Sequence, residues 1–216
     1  MCWNQYVSMN TFIFSGFVLL LIIYNNKYSP YKIKELDNIY AYLFLMSFFT
    51  MQLIEFFIWR NLNNKDLNSL FSILGTLLLL LQPVASLMLL NDYNLRNKML
   101  FIYVVPTVLY FFNQVFTKKF ETTVSKNGHL KWNWFNLTGY RQILFVFWLF
   151  FLFFSLFINK HYLGLTYTII LLIITLYSYS NSGSFGSLWC WSINSLMIFY
   201  AIKLLVILPY KENGLC

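Results

Sequence analysis

The chain reads as a series of apolar blocks parted by short polar segments. Crossing the hydrocarbon core of a bilayer takes about 20 largely apolar residues in a helix. Seven stretches meet that length, at 6–24, 38–59, 67–90, 98–116, 140–158, 162–180 and 187–208. The pattern predicts an all-α integral membrane protein in which residues 1–216 form a single domain of seven transmembrane helices. Most connections are short, so consecutive helices are expected to run antiparallel. Pro83 and Pro106 fall inside the third and fourth blocks, where kinks are expected; Pro209 closes the seventh.

One connection, 117–139, is longer than the rest. Phe120-Glu-Thr-Thr-Val-Ser-Lys126 and His129-Leu-Lys-Trp-Asn-Trp134 flank Asn127-Gly128. The flanks alternate in part and are rich in β-formers. Asn-Gly favours a type I′ turn with positive φ at both residues. A β-hairpin lying over one membrane face is therefore expected between helices 4 and 5, with an irregular loop as the alternative.

Composition agrees with the blocks. Of 216 residues, 59% are hydrophobic and only 10% charged, whereas soluble domains carry about 25% charged residues. The net charge of +8 does not point to nucleic acid, because the basic residues sit in connections between apolar blocks. Flanking positive charge is the usual topology signal of membrane proteins. Cys2, Cys190 and Cys216 are too far apart to read as a disulfide or zinc framework. The first block lacks a basic leader and a small-residue cleavage site, and is read as a retained helix.

Lysine and arginine counts set the expected orientation. With the N-terminus outside, the inner segments hold Lys27, Lys32, Lys34, Arg96, Lys98, Lys160 and Lys211. The outer ones hold Arg60, Lys65, Lys118, Lys119, Lys126, Lys131 and Arg141, an equal number. Around the first block the bias is clear, with no Lys or Arg before it and three after it. The expectation is a multi-pass protein with its N-terminus outside or luminal and its C-terminus cytoplasmic. The sequon Asn136-Leu137-Thr138 then lies on the outer side.

Strongly polar side chains inside apolar helices are costly unless they face a partner or a cavity. Gln52 and Glu55 share one face of the second helix. Asn113, Gln114, Tyr177 and Ser178 come from the ends of even-numbered helices, while Gln142, Trp191 and Asn194 come from the starts of odd-numbered ones. All fall in the membrane half beneath the expected hairpin. The candidate ligand-binding residues are therefore Gln52, Glu55, Asn113, Gln142, Tyr177, Trp191 and Asn194, lining a polar, aromatic-walled pocket, with the opposite half almost purely apolar. The competing reading is that these residues grip headgroup water, stitch helices together or, for Trp189 and Trp191, form an aromatic belt. Lys203 in the seventh helix invites comparison with a retinal lysine. It lies close enough to the helix end to snorkel, however, and Phe199 stands where microbial rhodopsins place an acid.

Catalytic patterns are missing from the sequence: His129 and His161 both lie in connections, and no HExxH or GxSxG is present. No catalytic residue, metal ligand or cofactor is assigned. Gln52-Leu-Ile-Glu55-Phe-Phe-Ile-Trp59, Leu81-Gln82-Pro83, Asn127-Gly-His-Leu-Lys-Trp132 and Gly186-Ser-Leu-Trp-Cys-Trp191 together resemble uncharacterised multi-span membrane proteins of large DNA viruses of protists. That resemblance implies no known activity. It implies a virion or host intracellular membrane as the setting. The leading expectation is a non-enzymatic membrane protein that binds or passes a small-molecule or lipid ligand. The alternatives are a structural or interaction protein of a viral or intracellular membrane, and an intramembrane enzyme using Glu55 as acid or base.

Overall fold

In a computed structural model, residues 4–117, 119–135, 139 and 141–212 are described, with the side chains of 211 and 212 left aside. The sequon at Asn136, the cysteines Cys2 and Cys216, and Lys118 lie outside the described residues. Seven helices are long and apolar enough to span a membrane. They begin with α1 (Gln5–Tyr28), α2 (Ile39–Arg60), α3 (Lys65–Leu87) and α4 (Tyr93–Thr117). After a hairpin of β1 (Thr122–Val124) and β2 (Leu130–Trp132) come α5 (Arg141–Ile158) and α6 (Tyr162–Tyr179). The seventh span, Phe185–Tyr210, is divided into α7 (Phe185–Ile193), α8 (Ser195–Ile202), a π-turn (Lys203–Ile207) and α9 (Leu208–Glu212).

Side-chain caps decide where the first four helices start. Asn4, Asn38 and Asn64 each accept a hydrogen bond from a first-turn amide of α1, α2 and α3. Asp92 takes the Asn94 and Leu95 amides at 2.9 and 3.1 Å. Such caps satisfy N–H groups that have no carbonyl partner in the first turn. The Asp92 cap explains why α4 begins at Tyr93, ahead of the apolar block at 98.

Prolines and amides interrupt the ladders at defined points. Pro83 cannot donate to the Leu79 carbonyl one turn back; the Trp148 indole N–H of α5 donates to it instead, at 2.8 Å. In the seventh span the Asn194 side chain donates to the Cys190 carbonyl at 2.8 Å, which competes with the backbone ladder at the junction of α7 and α8. The helical course continues through Pro209 in α9, and the π-turn ends two residues before that proline.

The hairpin forms where the alternation places it, with Thr122 opposite Trp132 and Val124 opposite Leu130. Its turn differs from type I′. Gly128 has a φ of 76° but Asn127 keeps a negative φ, and the Gly128 amide donates to Ser125 at 2.9 Å. The Ser125 amide donates to the His129 carbonyl at 2.7 Å, closing a three-residue loop of the type I plus glycine-bulge kind. One left-handed residue then suffices, and glycine supplies it.

Leu130 and Trp132 point inward and Lys131 outward. Beneath them, Trp132 and Trp134 stack at 5.0 Å, and Phe135, Phe145, Phe185 and Trp148 continue the aromatic layer. A Cβ on Gly186 would come within 3.1 Å of Phe135 and Trp132, so the start of α7 approaches the hairpin as closely as only glycine permits. Among the spans α2 and α3 are central, 44% buried, while α4 is 11% buried and presents most of its surface to lipid.

Candidate functional site

The sequence-derived residues divide into a buried or half-buried set and an exposed set. Gln52 and Glu55 are completely buried on α2. The Gln52 amide donates to Glu55 Oε2 at 3.1 Å, and the Glu55 carboxylate lies within electrostatic reach of Cys190 on α7. Asn194 is buried and accepts the Ser15 hydroxyl of α1 at 3.2 Å. Trp191 is half-buried and donates to Thr11 Oγ1 at 3.1 Å. These last two residues join the seventh span to α1. Asn113, Gln142 and Tyr177 lie on the exposed surface, Tyr177 at 91%.

Polar side chains elsewhere in the bundle behave as interhelical ties. Ser86 of α3 donates to the Leu152 carbonyl of α5 and pairs with Ser155, each at 2.6 Å. Gln82 donates to the Ser47 carbonyl at 3.4 Å. The Tyr103 hydroxyl donates to the Leu80 carbonyl at 2.9 Å. A hydroxyl or amide in an apolar medium needs a partner, and small hydroxyl residues also allow close helix approach.

Beneath the hairpin the open space is a crevice of about 70 Å³ edged by Gln114, Trp134 and Arg141. An apolar groove of about 280 Å³ runs along the outer side of α3 and α4. A larger cavity, about 320 Å³, lies at the opposite end of the bundle. Its walls come from the start of α2 (Ala41, Phe44, Leu45, Phe48), the start of α6 (Leu163, Gly164, Thr168) and the end of the seventh span (Ile193, Leu196, Phe199, Tyr200, Lys203). Starts of even spans and ends of odd spans meet there, as antiparallel succession requires.

Charged and ionisable groups gather at this cavity. Glu35, Lys160, His161 and Lys203 all line it, and Glu35 and Lys203 form an ion pair. Glu35 is carried on a short 3-10 turn, Lys34–Leu36, in the α1–α2 connection. That connection is pinned by Asn26, which accepts the Ile33 amide at 2.7 Å and donates to the Ile33 carbonyl at 3.3 Å. Ile33 and Leu36 are buried beneath it.

Lys160 and His161 are presented by the turn that ends α5. The His161 amide reaches the Leu156 carbonyl at 2.8 Å and the Lys160 amide the Phe157 carbonyl at 3.1 Å, the two bonds of a Schellman cap. Lys160 has a φ of 58°, a conformation that costs a residue with a Cβ about 1 kcal/mol. Strain of this kind is concentrated at functional sites.

Sequence reasoning counted Lys160 only toward topology, and placed Lys203 at the membrane edge as a snorkelling cation. It did not identify Glu35, Gly164 or Tyr200. The available signal was three ionisable residues, Glu35, Lys160 and His161, in two connections on the same side as Lys203. The half expected to be almost purely apolar thus holds the largest of these cavities and this cluster. Among the described residues, no three His, Cys, Asp or Glu side chains form a group able to hold a metal ion. The chain matches no family model, no curated protein and no solved structure.

Proposed function

We propose that this multi-pass membrane protein is a non-catalytic binding protein that holds one small amphiphile in the cavity between α2, α6 and the seventh span. The observation that carries the reading is the cavity itself. Its volume of about 320 Å³ falls at the small end of ligand pockets, roughly 300–1,000 Å³. Tyr162, Leu163 and Phe199 line it and are themselves 53%, 65% and 39% exposed. The wall is therefore interrupted on the lipid side, which suits a ligand arriving from the bilayer. With the N-terminus outside, the cavity opens toward the cytoplasmic face. In the setting that the resemblance implies, that bilayer belongs to a large DNA virus of protists or to its host.

Native mass spectrometry after gentle detergent extraction tests this. The wild-type protein is expected to retain a bound single-chain species. Gly164→Phe is expected to lose it, because Gly164 lines the cavity and nothing lies within 4 Å of its Cβ position, so a large side chain can be placed at that wall. A wild-type protein that carries nothing, or a Gly164→Phe protein that carries the same species, rules the proposal out.

A second reading has its own support. The buried Ser86–Ser155, Ser15–Asn194 and Gln82–Ser47 contacts are what a structural membrane protein uses to hold its helices in register. In this reading Asn194 is a tie to α1, Gln52 and Glu55 satisfy each other within α2, and none of the three is a ligand contact. Glu55→Gln keeps an acceptor for the Gln52 amide, so it is expected to leave both folding and amphiphile binding unchanged. A selective loss of binding with folding intact would return Glu55 to the site.

A further inference from the structure

We infer that the cavity selects a single-chain amphiphile with an anionic headgroup, a carboxylate or a phosphate, and that Glu35 occupies the headgroup's place on Lys203 until the ligand displaces it. This rests on the amphiphile-binding reading above.

Charge at the cavity is unequal. Two lysines, Lys160 and Lys203, line it against one acid, Glu35. The neighbouring titratable groups are His161, Tyr162 and Tyr200, and none of these supplies a second carboxylate. Glu35 pairs with Lys203, and Lys160 adds a second cation at the same cavity.

Lys203 is the more enclosed member of the pair, its side chain 25% exposed against 38% for Glu35. A partly desolvated ammonium group keeps its charge at low cost only beside an anion. The site therefore favours exchange of one anion for another over simple loss of Glu35. Glu35 is suited to the exchange because the turn that carries it is pinned at Ile33 by Asn26; only the Glu35 side chain needs to swing toward water. Lys203 begins the π-turn, and π-turns recur at functional sites.

The apolar wall sets the other half of the ligand. Phe44, Leu45, Phe48, Ile193 and Leu196 line the cavity and can be covered by one hydrocarbon chain. Leu163 and Phe199 line the cavity and are also exposed, so the rest of the chain can remain in lipid on that side. A cavity at the small end of ligand pockets takes one chain and not two. The first-turn amides of α6 add a favourable dipole at the same mouth, since the His161 side chain makes no capping bond to them.

The test is equilibrium binding to the full-length protein in nanodiscs, with oleate, oleyl phosphate and oleyl alcohol as probes and inorganic phosphate as competitor. The two anionic probes are expected to bind about tenfold or more tighter than the alcohol, the range of one charge-assisted contact. Glu35→Gln is expected to tighten oleate binding and leave the alcohol unchanged. Lys203→Met is expected to narrow the gap between the anionic probes and the alcohol, with Lys160 supplying what preference remains.

Glu35 sits on an exposed turn, so its variant remains informative if Lys203→Met fails to fold. Equal affinity of the three probes for the wild type, or an unaltered oleate affinity in Glu35→Gln, overturns the headgroup inference. Displacement of oleyl phosphate by inorganic phosphate at similar concentration shows a free-anion site and also overturns it. Gly164→Leu separates the two levels. If it abolishes equal binding of all probes, the cavity reading stands without the headgroup. If it binds every probe as the wild type does, the cavity reading itself fails.

Discussion

Asn68 pairs with Thr122 as one strand residue pairs with another. The Asn68 side-chain amide donates to the Thr122 carbonyl at 2.9 Å and its oxygen accepts the Thr122 amide at 2.9 Å. Ser72 adds a contact to the Thr122 hydroxyl at 2.8 Å, and the Trp134 indole donates to that hydroxyl at 3.3 Å. A helix side chain thus satisfies the edge of β1, which would otherwise bury unpaired backbone groups.

Asn68→Ala leaves the buried Thr122 N–H and C=O without partners. The expected cost to hairpin docking is about 2 kcal/mol or more. Hydrogen exchange checks it: the Thr122 amide is expected to lose its protection while amides in the middle of α2 keep theirs. Unchanged protection at Thr122 would show that the aromatic layer alone seats the hairpin.

Trp148 and Pro83 form a second linked pair. Removal of the indole N–H in Trp148→Phe orphans the Leu79 carbonyl and is expected to cost about 1–3 kcal/mol. In a Pro83→Ala background the restored amide takes that carbonyl, so the same change is expected to cost less. A double-mutant cycle on thermal unfolding measures the coupling; additive losses would sever the two residues.

His129 gives the hairpin a pH dependence. It lies in the turn outside the spans, buried, with its ring edge-on to Tyr179 at 5.5 Å. Burial holds its pKa below the usual 6.5. The folded form therefore prefers the neutral ring. Above pH 6.5 both folded and released hairpins carry neutral histidine and docking is at full strength. As pH falls below 6.5 the released form gains a proton first, and docking weakens. Proteolysis of the 117–139 connection is expected to accelerate between pH 7.5 and 5.5, and His129→Phe is expected to remove that trend.

Lys160 trades local strain for charge. Lys160→Gly relieves a positive φ at the end of α5 and is expected to raise stability by about 1 kcal/mol. The same change removes one of the two lysines at the cavity, so affinity for oleate is expected to fall as stability rises. Thermal unfolding and oleate binding measured on one preparation decide whether the two effects have opposite signs.

The seven spans were legible in the sequence because span length and charge scarcity are local properties of the chain. The hairpin was legible as well, since alternating β-formers around Asn127-Gly128 carry their own signal. Its turn was assigned to the wrong type because Asn-Gly serves two turn geometries, and packing chooses between them.

The candidate site was legible only in fragments. Helices that are apolar on all sides carry no record of which face is buried. The sequence puts Gln142 at the start of one block and Gln52 inside another, but it does not say which way either side chain faces. Shared depth placed Gln52, Glu55, Asn113, Gln142, Tyr177, Trp191 and Asn194 in one half, but rotation about each helix axis decided which of them meet. The cavity beside Lys203 is harder still to read, because it is a gap between α2, α6 and the seventh span and belongs to no single stretch. The sequence by itself determined that this chain lies in a membrane as seven helices with a hairpin over one end. Only the tertiary structure decided that Glu35 meets Lys203, through a turn clamped by Asn26, and left an apolar cavity beside them.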